Sequence, residues 1–253
     1  MKAVLYICHG SRIKKGRDEA LAFIEQTIPF MDVPIQEACF LELAHPTIEQ
    51  GITRCVERGA TEIIVFPFLL LAAGHAKKDI PMELERARFK FPSVTFRYAK
   101  PLGVHEAMVD ILVERMKETG QPILPSASVL IVGRGSSDPQ ILDDFARIRD
   151  LFRHKTKIRD VNIGYLAAAS PSFKEELERL HRQHPVQLWV LPYLLFTGVL
   201  SKKMEKEITL LHSPESIILT KCLGYHSSIR KIMNDRIKEA DSTGGHQYVS
   251  NHG

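Results

Sequence analysis

The sequence predicts an α/β protein of two similar domains, each a parallel four-stranded sheet flanked by helices, produced by internal duplication. Three observations lead there. Three separated segments of the first half return in the second half at one offset of 125 residues. Short apolar runs alternate with amphipathic stretches of helical period in both halves. The chain has 253 residues, enough for two domains with a core each.

The duplication can be read residue by residue. Cys8-His9-Gly10-Ser11 matches Gly133-Arg134-Gly135-Ser136, and Leu41-Glu42-Leu43-Ala44-His45-Pro46 matches Leu166-Ala167-Ala168-Ala169-Ser170-Pro171. Pro67-Phe68-Leu69-Leu70 and Gly74-His75-Ala76-Lys77-Lys78 match Pro192-Tyr193-Leu194-Leu195 and Val199-Leu200-Ser201-Lys202-Lys203. The scaffold residues agree, but the reactive ones do not. His9 stands opposite Arg134, Glu42 opposite Ala167 and His75 opposite Leu200. A later echo, Leu102-Gly103-Val104-His105 against Leu223-Gly224-Tyr225-His226, has an offset of 121.

The elements follow in order. Strands are expected over residues 3–8, 35–40, 62–66 and 94–98, and helices over about 14–28, 47–58, 78–89 and 104–117. In the first helix Ala20, Leu21, Phe23, Ile24 and Ile28 share one face, while Lys14, Lys15, Arg17 and Asp18 stay polar. The second half repeats the order, with strands over 128–132, 161–166, 187–191 and 217–222. Strict alternation implies parallel pairing through right-handed crossovers. Residues 120–125, with Gly120, Pro122 and Pro125, read as a linker. The domains are therefore expected at 1–121 and 126–239, followed by a flexible tail at 240–253 rich in Ser, Gly, Asn and His.

Bulk properties narrow the partners. A formal charge of +4 is far from the basic stripe of a nucleic-acid binder, yet it permits an anionic small molecule. Cys8, Cys39, Cys55 and Cys222 form no C-x-x-C pair and read as reduced thiols, so a cytoplasmic location is expected. The apolar opening is too short for a signal peptide, and no apolar run approaches the roughly 18 residues of a membrane span.

In an open parallel sheet, ligands bind outside the carboxyl ends of the strands. His9 follows the first strand, Glu42 the second and His75 the third, so the three are expected on one sheet edge. With strand order 2-1-3-4 the domain is flavodoxin-like, and its crevice opens beside His9 and His75. Two imidazoles and a carboxylate form a credible contact set for Fe2+, Co2+ or Ni2+, and neutral imidazole also accepts protons near neutral pH. Residues 68–73 are wholly apolar. They either pack inside the domain or wall a large flat ligand, and the matching loop 193–199 would face them across a cleft. The pairs Lys77-Lys78 and Lys202-Lys203 lie near helix starts, where the dipole disfavours cations. They fit either an anionic partner or two solvated lysines per helix.

The remaining candidates read as structural. His45, replaced by Ser170, suits a helix N-cap position. His105 and His226 occur in both copies and belong to the scaffold. Cys8 behaves as a small hydrophobe at a strand end. His246 and His252 lie in the tail.

As a group these segments resemble the class II tetrapyrrole chelatases. The resemblance rests on His9-Gly10-Ser11-Arg12, on Phe40-Leu41-Glu42-Leu43 with Pro46-Thr47-Ile48, and on Pro67-Phe68-Leu69-Leu70-Leu71 to Gly74-His75 followed by Lys77-Lys78-Asp79-Ile80-Pro81. It covers nearly the whole chain. It implies two chelatase-like domains facing across a cleft, and metal insertion without nucleotide or redox chemistry. By the resemblance, His9 and His75 bind the metal and accept protons, and Glu42 assists them. The implied substrates are sirohydrochlorin and Fe2+, with Co2+ or Ni2+ as alternatives and no tightly bound cofactor. The carboxylates of the macrocycle give a role to Arg12, Lys14, Lys77, Lys78, Arg134, Lys202 and Lys203. The absence of His-rich insertions and of an added Cys cluster favours iron over cobalt. A histidine phosphatase would expect Arg before the first His, where this chain has Cys8. A non-catalytic tetrapyrrole or metal carrier would use the same ligands. One chain already supplies two domains, so a monomer is expected.

Overall fold

The computed structural model describes residues 1–10, 14–72, 74–212 and 216–242, with His75 by its backbone alone. The elements in the first half are β1 (Lys2–Cys8), α1 (Lys14–Thr27), β2 (Ile35–Phe40), α2 (Ile48–Glu57), β3 (Glu62–Phe68), α3 (Ile80–Lys90), β4 (Thr95–Tyr98) and α4 (Glu106–Lys117). The second half contributes β5 (Ser128–Gly133), α5 (Gln140–Thr156), β6 (Val161–Tyr165), α6 (Phe173–His181), β7 (Leu188–Pro192), α7 (Val199–Thr209), β8 (Ile217–Leu219) and α8 (Ser227–Ser242). A 3-10 turn at Ile28–Phe30 ends α1, and a π turn at His75–Asp79 precedes α3.

The two sheets have the same order, β2-β1-β3-β4 and β6-β5-β7-β8, and every pairing is parallel. This is the expected 2-1-3-4 arrangement, so all carboxyl ends within a sheet lie on one edge. Strand β1 is central and buried almost from end to end. Ala3, Leu5 and Ile7 on one face pack with Ile35, Ile52 and Leu84. On the other face the Tyr6 ring meets the edge of Phe66 at 6.3 Å, and Phe23 of α1 stacks on Phe68 at 5.4 Å. Burial on both faces explains why these strands read as continuous apolar runs rather than alternating ones. Leu130, Val132, Leu177, Leu188 and Val190 form the equivalent core in the second half.

The chain divides into compact units at places other than the 120–125 linker. One unit comprises Met1–Gly103 and the chain from Ile229 onward, and the other Val104–Ser228. Helix α4 thus belongs with the second sheet, and helix α8 with the first. Within the second unit, Arg115 of α4 donates to the carbonyls of Cys222 and Leu223 at 2.9 and 2.5 Å. Within the first unit, Arg236 of α8 donates to the carbonyl of Leu102 at 3.3 Å, and Lys2 pairs with Asp241 at 2.6 Å. Arg115 and Arg236 are 121 residues apart, the offset of the Leu-Gly echo itself. Each repeat therefore gives its last helix to the other repeat's sheet. An amphipathic pattern says that a helix needs an apolar partner but not which one, so the exchange was not visible in the periodicity.

Other boundaries differ for local reasons. Helix α8 runs to Ser242, past the expected start of the tail, and buries Ile237 and Ala240. The rest of the tail, with His246 and His252, lies outside the described residues. The N-cap of α2 is Thr47, whose hydroxyl accepts from the Gln50 amide in a capping box, and Ser172 with Glu175 repeats this at α6. His45 and Ser170 lie two residues earlier, before cis prolines, so neither is the cap. His105 does cap α4, its ring nitrogen accepting from the Ala107 amide at 3.1 Å, and His226 accepts from the Ser228 amide at 3.2 Å. No described helix is long and apolar enough to cross a membrane.

Candidate active site

The site is built at the carboxyl edge of the first sheet. The β1–β2 pairing continues beyond the strands: the Leu41 amide donates to the Cys8 carbonyl at 2.9 Å, and the Glu42 amide to the His9 carbonyl at 3.2 Å. This carries the two side chains together, with His9 Nδ1 3.6 Å from Glu42 Oε1. The separation suits an ion pair and exceeds a hydrogen bond. The side chains are 29% and 42% exposed; the His9 ring turns Nδ1 toward Glu42 and keeps Nε2 buried.

The tight approach depends on Gly10. Its φ is +97°, and a Cβ there would lie 1.8 Å from the carbonyl oxygen of Glu42. Leu43 then turns the chain with φ of 62°, and the Phe40 amide donates back to the Pro46 carbonyl at 2.8 Å. The second copy keeps this framework. Gly135 has φ of +85° with the Ala167 carbonyl oxygen at 1.8 Å, and Ala168 has φ of 52°. The Ala167 amide donates to the Arg134 carbonyl at 2.9 Å. The two loops thus share a backbone, while one presents imidazole and carboxylate and the other guanidinium and methyl.

His75 opens the π turn that follows β3, the strand beside β1. The turn is fastened from below. Ala76 and Ile80 are buried, and the Tyr98 hydroxyl at the end of β4 donates to the Ala76 carbonyl at 2.8 Å. The apolar loop before it is partly core: Phe68 and Leu71 are buried, whereas Leu69 and Leu70 are half-buried. The Leu69 and Leu70 carbonyls accept from the Leu102 and Gly103 amides, and Leu194 and Leu195 do the same for Leu223 and Gly224. Phe68 and Leu71 thus pack inside the domain, while Leu69 and Leu70 stay partly exposed at the sheet edge.

Of the basic candidates, Lys14, Lys77, Lys78, Arg134, Lys202 and Lys203 are exposed. Lys203 also reaches the Leu166 carbonyl at 3.4 Å. Arg12 lies outside the described residues. Among the described residues no three His, Cys, Asp or Glu side chains converge as a ready metal cage. The described part of the site is the His9–Glu42 pair, beside the turn that begins at His75.

Gly10, Leu43 and Tyr98 were missed by sequence reasoning. Gly10 had a signal, because Gly135 repeats it. Tyr98 had one too: the registers Val65–Tyr98 and Val190–Leu219 make Leu219 its counterpart, another asymmetry between the copies.

Cys8, next to His9, is not part of this chemistry. It is buried, and burial pushes its thiol up to about 12. Cys55 is likewise raised to about 12, and burial also raises Cys39. At pH 8 a thiol with such a pKa is ionised in roughly one molecule in ten thousand. Iodoacetamide is therefore expected to leave Cys8, Cys39 and Cys55 unmodified in the native protein and to label them after unfolding, as read by peptide mass spectrometry. Rapid native labelling of Cys8 would contradict its burial.

Fold and site define a class: a duplicated α/β protein whose first repeat presents His9 and Glu42 at the carboxyl edge of its sheet, where the second repeat has Arg134 and Ala167. The model of the CbiX family matches residues 3–119 and again 128–240, and the chain belongs to that family. This agrees with the class II chelatase resemblance. The chain is 49% identical over 249 residues to the sirohydrochlorin ferrochelatase of Priestia megaterium, covering 98% of this chain and 94% of that protein. A sirohydrochlorin cobaltochelatase of the same organism is 37% identical, with 94% of this chain and 80% of that protein covered. Among solved structures, SirB from Bacillus subtilis with Fe3+ superposes with a TM-score of 0.88 at 40% identity, covering 96% and 97% of the two chains.

Proposed function

We propose that the protein is an ATP-independent chelatase that inserts Fe2+ into sirohydrochlorin, giving siroheme and releasing two protons. The observation that carries this reading is the His9–Glu42 pair, 3.6 Å apart on the sheet edge and present in one repeat only. The near full-length identity to a ferrochelatase supports the same reaction.

Insertion demands that pyrrole nitrogens lose their protons and that a hydrated ion exchange water for ring nitrogens. Neutral imidazole can serve both needs, as a ligand through a ring nitrogen and as a proton acceptor. Once His9 is protonated, the carboxylate of Glu42 offsets the new charge and favours the transfer. His75, opening the turn on the adjacent strand, is the second imidazole in this scheme. The metal is a substrate in transit, so a partly exposed pair is better suited than a closed cage, which would hold the ion too firmly. No nucleotide is required.

The exposed Lys14, Lys77, Lys78, Arg134, Lys202 and Lys203, together with Arg12, suit the carboxylates of the macrocycle. Arg134→Ala is expected to weaken sirohydrochlorin binding about three- to fivefold, the scale of an exposed ion pair, while leaving metal affinity unchanged. Absorbance titration with the metal-free macrocycle checks this, and an unaltered affinity would remove Arg134 from the binding surface. Cobalt is the second reading, since a cobaltochelatase is also a relative. The higher identity to the ferrochelatase favours iron. A monomer and a cytoplasmic location accompany the proposal: one chain carries both repeats, and its four cysteines are free and buried, as in a reducing compartment.

The test is anaerobic incubation with sirohydrochlorin and Fe2+, Co2+ or Ni2+ in turn, followed by absorbance. A rate above the spontaneous one, highest with Fe2+, is expected. No acceleration with any ion would falsify the chelatase reading.

A further inference from the structure

We infer that Tyr98 is a positioning residue that holds His75 in place through the π turn, a role that deepens the chelatase reading and rests on it for the function of His75. The argument begins with a carbonyl. In a π turn the C=O of residue i is served by the N–H of residue i+5. His75–Asp79 is such a turn, and at that spacing the carbonyl of Ala76 calls for the amide of residue 81. Residue 81 is Pro81, which has no N–H. Ala76 is buried, so water does not readily replace the missing donor. The Tyr98 hydroxyl replaces it, donating to the Ala76 carbonyl at 2.8 Å from the end of β4. Tyr98 is itself buried, 8% exposed, and packs in the core of the first sheet.

The second copy supplies the control. There the equivalent stretch is α7, a regular helix from Val199, in which the carbonyl of Ser201, opposite Ala76, has the amide of Glu205 at the α-helical spacing, and Lys206 stands at the position of Pro81. The position of Tyr98 is held by Leu219, matched by strand register to the same point on the neighbouring strand. Three differences therefore occur together: a π turn for an α-helix, a proline for a lysine, and a tyrosine for a leucine. They separate the repeat that has His75 from the repeat that has Leu200. A general packing role for Tyr98 would not require a hydroxyl, nor link it to Pro81. The geometry makes the hydroxyl the fastening of the one turn that begins with a candidate ligand.

The experiment removes only that oxygen. Tyr98→Phe, His75→Ala and the double variant are compared with wild type, first by anaerobic Co2+ titration followed through the visible d–d bands, then by insertion kinetics. Tyr98→Phe is expected to weaken Co2+ binding and to lower kcat/KM for the metal by about five- to tenfold, the scale of one buried hydrogen bond, with sirohydrochlorin affinity unchanged. In the His75→Ala background the same substitution should have no further effect on Co2+ binding, because Tyr98 acts through His75. Equal losses in both backgrounds, or wild-type Co2+ affinity in folded Tyr98→Phe, would overturn the inference. Circular dichroism identifies the folded variants, and Tyr98→Leu, which copies the second repeat, provides a second test. The Co2+ cycle needs no turnover, so failure of the chelatase reading and failure of this inference remain distinguishable.

Discussion

Replacing His9 by Ala is expected to lower the rate of metal insertion at least about a hundredfold, the lower range for loss of a positioned general base. The structure isolates the imidazole as the cause. The His9 residue is also part of the framework, because its carbonyl accepts the Glu42 amide at 3.2 Å, but that bond belongs to the backbone and survives the substitution. The second repeat shows the tolerance directly: Arg134 occupies the same position and its carbonyl accepts the Ala167 amide at 2.9 Å. The side chain can change without moving the loop. The variant should therefore melt near the wild-type temperature and bind sirohydrochlorin normally while failing to deprotonate it. Absorbance kinetics under anaerobic conditions measure the loss, and a wild-type rate would take His9 out of the mechanism.

A methyl group at Gly10 should be nearly as damaging by a different route. Gly10→Ala brings a Cβ to 1.8 Å from the Glu42 carbonyl oxygen in a residue with φ of +97°. Left-handed backbone and overpacking together should cost about 3 kcal/mol of stability. The atom struck belongs to Glu42, so relief comes by pushing its loop away from His9. Gly135→Ala is the matched control, with φ of +85° and the Ala167 carbonyl oxygen also at 1.8 Å. Both variants are expected to melt lower by similar amounts. Below both transitions, Gly10→Ala should still lack most of its insertion activity and Gly135→Ala should retain more of it. Similar activities at that temperature would show that the Glu42 loop need not sit against His9.

Much of this architecture was legible in the sequence because it depends on local rules repeated twice. Apolar runs and helical periods located the strands and helices, and a parallel sheet places every strand end on one edge. The approach of His9 and Glu42 followed from that placement alone. What escaped depends on contacts that periodicity does not encode. His45 looked like a cap because Ser170 stands opposite it, yet the bonds that define the cap run from Thr47 to Gln50 and from Ser172 to Glu175. The strand expected to reach Cys222 ends at Leu219, with one further backbone bond from the Thr220 amide to the Val190 carbonyl. The helix expected from residue 78 begins two residues later, behind a π turn whose need for Tyr98 appears only when the missing donor of Pro81 is counted. Helix ownership was hidden for a related reason: Met108, Ile111 and Leu112 of α4 ask for an apolar surface, and either sheet provides one.

The exchange of α4 and α8 also bears on how such a chain can be divided. Suppose it were cut in the 120–125 linker. Each fragment would carry a helix that completes the other fragment's sheet and would lack the helix that completes its own. Each piece would keep the apolar cluster built from its own strands and helices, and would lose the partner of a helix whose apolar side is buried: Met108, Ile111 and Leu112 of α4 in one piece, Ile232, Met233 and Ile237 of α8 in the other. A cut at that place would therefore expose an apolar helix face in both fragments, whereas a cut after Gly103 or Ser228 would follow the boundaries of the compact units.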